Sequence, residues 1–265
     1  MGVFNKRFGE DVKLKVKEIL GYRTVSGSGL DCLKSIEECL ERADRSCRWM
    51  ACINPHSYVL GKSDSEFSRS LRHADWLVPD GIGMILAGHI LGCQLKERIT
   101  GFSIFDGVMQ DLDSRGGSVF FLGSCEQTLN IIEQKVSLDF PNIRLAGTFS
   151  PPFKEKFTRL EKRTMIAAIT AANADVLWVG MTAPKQEKWI AELQPHLRVH
   201  FAGAIGAVFD FYSGKVRRSH AVFQTLGLEW LPRLLQEPRR LWRRTVFSAP
   251  IFLWDVILMK LSLKH

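Results

Sequence analysis

Asp175-Val176-Leu177-Trp178-Val179-Gly180-Met181-Thr182-Ala183-Pro184-Lys185-Gln186-Glu187 carries an apolar run into a glycine, a short turn and a Pro-started stretch of helical character. A run that is apolar at every position suits a strand covered on both faces, as in a parallel sheet between two layers of helix. Five further runs repeat the pattern: 49–53 before Asn54-Pro55, 76–78 before Pro79-Asp80-Gly81, 118–122 before Gly123-Ser124, 143–146 before Gly147, and 199–202 before Gly203. Between them lie SEFSRSLRHAD, GMILAGHILG, EQTLNIIEQKVSL, EKFTRLEKRTMIAAITAAN and PKQEKWIAELQPH, each long enough for a helix. This alternation predicts an α/β fold, a Rossmann-like doubly wound, mostly parallel sheet with helices on both faces.

Working outward, GYRTVSGSGL (residues 21–30) reads as a loop and DCLKSIEECLERADRS (31–46) as a helix. Residues 1–46 therefore form an N-terminal helical and loop extension, and 47–213 the α/β catalytic core. Past Tyr212 the chain becomes rich in Arg and Trp, and Pro232, Pro238 and Pro250 cut it into short helical pieces. Residues 214–265 are thus a basic, amphipathic, helical C-terminal appendage suited to membrane association.

The 265 residues are 46% hydrophobic and 24% charged, enough for a full core and too balanced for a disordered chain. Of the net charge of +8, residues 214–265 carry +7, which points to a polyanionic partner. The six cysteines form no C-x-x-C pair and have no His at zinc spacing, so neither a metal site nor a disulfide framework is expected. The most apolar stretch, 245–263, carries Pro250, Asp255 and Lys260 and reads as a helix lying on a surface. Trp230, Trp242 and Trp254 among arginines suit an anionic membrane surface. The alternative is a helix pair packed on the domain or on another copy in a homo-oligomer. No nucleic-acid-binding motif is present, so no nucleic-acid partner is expected.

In an open α/β sheet, ligands sit beyond the carboxyl ends of the strands. Asn54, before Pro55, either caps a helix or faces that cleft. Asp80, followed by Gly81-Ile82-Gly83, is either a helix cap or a general base, with Gly81 and Gly83 allowing close approach of a substrate. The run Gly180 to Glu187 leads into a helix whose free N–H groups and dipole favour an anion, with Lys185 beside it. Its other reading is a solvated first helical turn. Gly203-Ala204-Ile205-Gly206-Ala207-Val208-Phe209-Asp210 is a second glycine loop ending in an acid that either binds a ribose or base edge or caps the following helix. Asp111-Leu112-Asp113 has a D-x-D form but closes a helical stretch at the wrong end of a strand.

The ordered series Asn54-Pro, Asp80-Gly-Ile-Gly, Arg98-Ile-Thr-Gly101, Phe121-Leu-Gly123, Pro184-Lys-Gln-Glu187, Phe209-Asp210-Phe-Tyr-Ser-Gly214-Lys and Leu228-Glu-Trp-Leu-Pro-Arg233 through Arg240 resembles the WecG/TagA/CpsF glycosyltransferases, family 26. The resemblance implies an inverting enzyme, independent of metal and of other cofactors, that moves a hexose or N-acetylhexosamine-type sugar from a UDP-sugar to a polyprenyl-diphosphate-linked saccharide. It implies bacterial surface or exopolysaccharide synthesis at the cytoplasmic face of the inner membrane, with peripheral attachment. It makes Asp80 the general base, and Asn54, Arg98, Gln186 and Asp210 active-site or donor-site groups. Arg233, Arg240 and Arg243 fall in the family's basic appendage, which closes over the site. Cys52 stands where the family has a threonine, and Ser103 where it often has an acid. With Gly81, Gly180, Lys185, Glu187 and Gly203, Cys52 completes the expected substrate-binding set.

A second reading is a non-catalytic, membrane-associated binding module of a polysaccharide assembly complex, which Cys52 and Ser103 would favour. A dinucleotide-dependent oxidoreductase lacks support, because neither G-x-G-x-x-G nor its following acid is present.

Overall fold

The computed structural model describes residues 14–216 and 238–263, with the backbone alone for 238–246. A small antiparallel hairpin opens the described chain, β1 (Val16–Ile19) and β2 (Tyr22–Val25), turning through Leu20 and Gly21 at positive φ. The segment read as loop therefore contains a strand. Its ordering comes from Ile19, Tyr22 and Val25, all buried, and from the Tyr22 hydroxyl, which lies 2.9 Å from Ser68 Oγ. Helix α1 (Gly29–Leu40) follows, started by a reciprocal Ser28–Asp31 capping box.

The six predicted runs form one parallel sheet: β3 (Arg48–Ile53), β4 (Trp76–Pro79), β5 (Ser118–Gly123), β6 (Arg144–Phe149), β7 (Val176–Gly180) and β8 (Phe201–Ala204), in the order β4-β3-β8-β7-β5-β6. Alternate residues feed two cores. Trp49, Ala51, Leu177 and Val179 face one layer, whereas Met50, Val176, Trp178 and Phe201 face the other. The first layer holds α2 (Pro55–Ser63), α3 (Ser65–His73), α4 (Ile82–Leu91), α7 (Arg159–Ala172) and α8 (Lys185–Leu193). The second holds α1, α5 (Gly101–Arg115), α6 (Glu126–Asp139) and the short α9 (Val208–Tyr212). Both faces of the sheet are covered, as the apolar strands require.

At the C-terminus, α10 (Pro238–Ser262) is one continuous helix rather than the short pieces expected from its prolines. Pro250 lies on its exposed side, where water can satisfy the carbonyl left without an N–H one turn earlier. Phe252 and Val256 are buried against the α2–α4 layer, and Asp255 accepts hydrogen bonds from Tyr58 Oη (3.0 Å) and Lys62 Nζ (2.5 Å). Among the described residues, no helix is long and apolar enough to cross a membrane.

Candidate active site

Parallel strands put all six carboxyl ends along one edge, and the segments leaving that edge enclose a cleft of about 810 Å³. After β7 the chain enters α8 on one face, and after β5 it enters α6 on the other. This divergence of neighbouring strands opens the crevice. Asn54, Asp80, Cys52, Gly180, Lys185, Gln186, Glu187 and Asp210, drawn from four separate stretches of the sequence, all line it. Gly81 and Arg98 adjoin it without lining it. Gly81 follows Asp80 directly, and Ile99, next to Arg98, donates its N–H to Pro79 O at 3.0 Å.

Asn54 does two things at once. Its Oδ1 accepts the Ser57 N–H at 2.9 Å, capping α2 with Pro55 at the first helical position, and its side chain still borders the cleft. Asp80 is not the cap of α4. That position belongs to Gly81 at φ +99°, with no side-chain capping bond. The Asp80 backbone N–H is held by Ile53 O at 2.8 Å, so β3 fixes the residue at the cleft.

Gln186 and Glu187 are buried, not part of a solvated turn. Gln186 Oε1 accepts from Met181 N (3.3 Å), and its Nε2 donates to Glu187 Oε1 (2.8 Å), so the amide laces the β7–α8 turn to the helix. Glu187 Oε2 has no hydrogen-bond partner among the described residues, and burial pushes this carboxyl up to about 7. Lys185 lines the cleft and donates to Lys154 O at 2.9 Å, with its ammonium 4.9 Å from the Phe157 ring centre; burial lowers its basicity.

Cys52 Sγ lies at the N-terminus of α5, 3.3 Å from where a Cβ on Gly101 would stand. Burial, then the Asp80 and Glu187 carboxyls, hold its thiol well above the ordinary range, so it stays protonated and is no nucleophile. Ser103 closes a capping box with Thr100: Thr100 N–H donates to Ser103 Oγ (3.1 Å) and Ser103 N–H to Thr100 Oγ1 (3.0 Å). A serine thus makes the local bond that an acid at this third helical position would make.

Gly203 lies inside β8 and outside the cleft lining, where a Cβ would stand 2.3 Å from Trp178 Cζ3; its smallness serves sheet packing. Arg233 lies outside the described residues. Arg240 and Arg243 fall on the first turns of α10, with side chains outside the description. Asp111 pairs with Arg115 and Asp113 accepts from Asn142 N (2.8 Å), away from the cleft. Among the described residues, no group of three or more His, Cys, Asp or Glu is placed to hold a metal ion.

Sequence reasoning missed the far wall: Ser124, Cys125, Lys215 and the loop Ser150-Pro151-Pro152-Phe153. Ser124-Cys125 and Ser150 follow β5 and β6, so the same strand-end rule, applied to every strand, would have found them.

The sequence model of the glycosyl transferase WecG/TagA/CpsF family matches residues 17–265. An N-acetylglucosaminyldiphosphoundecaprenol N-acetyl-beta-D-mannosaminyltransferase of Bacillus spizizenii (strain ATCC 23059 / NRRL B-14472 / W23) is 29% identical over 209 residues, covering 79% of this chain and 78% of the relative. The proteins of that name from Bacillus subtilis (strain 168) and Staphylococcus aureus (strain MW2) are 27% and 24% identical, over 78% and 93% of this chain and 78% and 94% of their own lengths. A match that begins in the hairpin and runs through every cleft-lining segment to the last helix leaves one assignment: the chain belongs to the WecG/TagA/CpsF family of glycosyltransferases.

Proposed function

We propose that this glycosyltransferase moves an N-acetylhexosamine-type sugar, with inversion, from a UDP-sugar to a polyprenyl-diphosphate-linked saccharide, and that Asp80 is its general base. The observation that carries this reading is the single cleft in which Asp80, Asn54, Gln186 and Asp210 meet at the carboxyl edge. The relatives' names describe transfer to a lipid-linked N-acetylglucosamine, which supports the acceptor class. A carboxylate takes the proton of the attacking hydroxyl in one step, and direct displacement inverts the anomeric centre. Negative charge growing on the departing diphosphate meets Lys215 at the cleft wall and, in this reading, Arg98 and the appendage arginines Arg233, Arg240 and Arg243.

Helix α10 supports work at the cytoplasmic face of the inner membrane. His56 Nδ1 and Ser248 Oγ lie 3.0 Å apart at the start of α2, whereas Asp255 meets Lys62 near its end. The helix therefore runs along α2, and its Arg-rich first turns extend roughly 15 Å beyond Ser248, past the carboxyl edge. Phe247, Ile251, Trp254, Leu258 and Leu261 form an exposed apolar stripe on it. Apolar side chains beside clustered arginines fit an anionic lipid surface, where the lipid-linked acceptor resides.

The test is nucleoside-diphosphate release on anionic vesicles carrying polyprenyl-diphosphate saccharides, with a panel of UDP-sugars. Asp80→Asn should lower kcat by about 10²- to 10⁴-fold with Kd for UDP unchanged. Trp254→Glu should leave the chain in the supernatant when the vesicles are sedimented. Turnover surviving Asp80→Asn would move the base elsewhere, and co-sedimentation of Trp254→Glu would remove the stripe from the membrane contact.

A further inference from the structure

Helix α4, Ile-Gly-Met-Ile-Leu-Ala-Gly-His-Ile-Leu from Ile82 to Leu91, contains no Asp, Glu, Lys or Arg, although one side of it lies on the surface. A surface helix ordinarily turns polar residues to water. Here the residues that reach water are Ile82, 36% exposed, Leu86, 49% exposed, and His89. The other positions face protein. Met84, Ala87, Gly88 and Leu91 are buried, Ile85 and Ile90 pack against the same core, and a Cβ on Gly83 would stand 3.9 Å from Phe252 Cε1 on α10.

The apolar face continues onto α10, which packs on both α2 and α4. Asp255, bonded to Tyr58 and Lys62 of α2, comes one residue before the buried Val256, so that flank of α10 faces α2. Successive helical residues turn by about 100°. Leu253 and Ile257, each one residue after a buried anchor, therefore lie on the opposite flank, toward α4, and they are 40% and 45% exposed. Leu86, one turn on from Gly83, lies beside the same contact. Ile82, Leu86, Leu253 and Ile257 thus make one apolar strip along the α4–α10 seam, running into the Trp254 stripe.

Charge and the place of the base say what covers this strip. Residues 214–265 carry +7 of the net +8, so a second copy would bring like charge against α10, whereas anionic lipid brings the opposite sign. Helix α4 also begins only two residues after Asp80. Resting on the readings of Asp80 as base and of α10 as a membrane contact, the acceptor hydroxyl must reach Asp80 while its polyprenyl tail stays in the bilayer. We propose that the α4–α10 seam is a further membrane-contact surface, with Ile82 and Leu86 seated in anionic lipid at the acceptor end of the cleft. The sheet then stands with its β4 edge nearest the bilayer and its β6 edge farthest from it. The lipid-linked acceptor and the water-soluble donor enter from opposite ends of the row of strands.

The test uses the full chain and vesicles of phosphatidylethanolamine and phosphatidylglycerol, with and without a polyprenyl-diphosphate saccharide. Leu86→Glu should weaken co-sedimentation roughly 5- to 20-fold and raise KM for the vesicle-borne acceptor, with turnover on a water-soluble short-chain acceptor unchanged. Leu86→Trp should bind at least as well as wild type. Leu138→Glu, which alters an 80% exposed leucine on α6 in the other helix layer, should bind as wild type does. Short-chain turnover reports whether Leu86→Glu is folded; if it is not, Leu86→Gln, which removes apolar surface without adding charge, carries the same expectation. Binding of the Leu86 variant within about twofold of wild type, beside a Trp254→Glu that is released, overturns this inference alone. Equal losses in Leu86→Glu and Leu138→Glu also overturn it, because added charge would then account for both. Loss of self-association in the ultracentrifuge with vesicle binding intact overturns it in favour of a second copy of the chain. A wild type that stays in the supernatant overturns the membrane reading of α10 and this inference with it.

Discussion

The two edges of the sheet are made by the same strands and treat carboxyl groups in opposite ways. At the amino edge, Asp75 and Asp175 stand immediately before β4 and β7 and each accepts an N–H from the start of a neighbouring strand: Trp49 N at 2.9 Å and Ser118 N at 2.9 Å. Asp175 also takes the Ser118 hydroxyl (2.6 Å) and Arg45 Nη2 (2.8 Å). At the carboxyl edge, Glu187 keeps one oxygen without a partner among the described residues, Phe153 stands in solvent, and the loops enclose an open cleft. One edge uses its polar groups to hold strands together, and the other leaves room for a substrate. Stability and activity are therefore separable by position.

The largest effect expected outside catalysis is at Glu187. Its carboxyl is raised to about 7 in the folded chain from an ordinary value of 4.5. The folded state thus binds its proton more tightly than the unfolded state does. Its contribution is fully present below pH about 4.5, is lost as pH rises through 7, and is flat above, an amount of order 3 kcal/mol. Glu187→Gln, which keeps an oxygen for the Gln186 amide, should remove that decline and unfold at a higher temperature than wild type at pH 8. Parallel pH–stability curves for the two proteins would show that the carboxyl is solvated and that the contrast between the edges is false.

At the opposite edge, Asp175→Ala should cost about 1–3 kcal/mol, because it leaves Ser118 N–H and Arg45 Nη2 without their acceptor. Chemical denaturation measures it. Well below the unfolding transition, KM for the donor should match wild type. A change in KM with stability intact would place Asp175 in communication with the cleft and break the separation.

Much of this arrangement is legible in the sequence, for reasons that also define what is not. The six strands announce themselves because burial on both faces demands continuous apolar runs, and a glycine or proline marks the exit of β3, β4, β5 and β7 toward the cleft, whereas Gly147 and Gly203 lie inside β6 and β8. Asp80 and Asn54 follow from that punctuation. Strand order is different. Nothing local in residues 199–202 says that β8 inserts between β3 and β7, since neighbours in the sheet are chosen by the packing of the whole. Gln186 and Glu187 admit both a cleft reading and a solvated helix-start reading in sequence, because Pro-Lys-Gln-Glu is good first-turn chemistry anywhere; only the tertiary fold covers them. The hairpin was hidden because each four-residue strand shows only two apolar marks, Val16 and Ile19 in β1 and Tyr22 and Val25 in β2. Gly203 looked like a loop residue, but the pressure that keeps it small comes from Trp178, which is 25 positions away and on the neighbouring strand.

The smallest effect expected, and the sharpest test of the contrast, lies with the cysteines. Burial raises the thiols of Cys39, to about 11, and of Cys47, which both lie toward the amino edge. Cys125, exposed at the start of α6 and lining the cleft, has its thiol lowered, first by the Thr128 hydroxyl 3.3 Å away and also by the charge of Lys215. Since the thiolate is the reacting form, iodoacetamide at pH 8 should label Cys125 well ahead of Cys39 and Cys47, with mass spectrometry reading the order. Thr128→Val removes the main cause, so the thiol should return toward its ordinary value and the labelling rate at pH 8 should fall a few-fold. Saturating UDP should slow labelling of Cys125, because nucleotide in the cleft covers that wall. Cys125→Ser should leave turnover within about twofold, as expected for a wall residue remote from Asp80. Equal labelling of Cys47 and Cys125 would mean that the amino edge is open, and the functional asymmetry of the sheet would then have to rest on Asp80 alone.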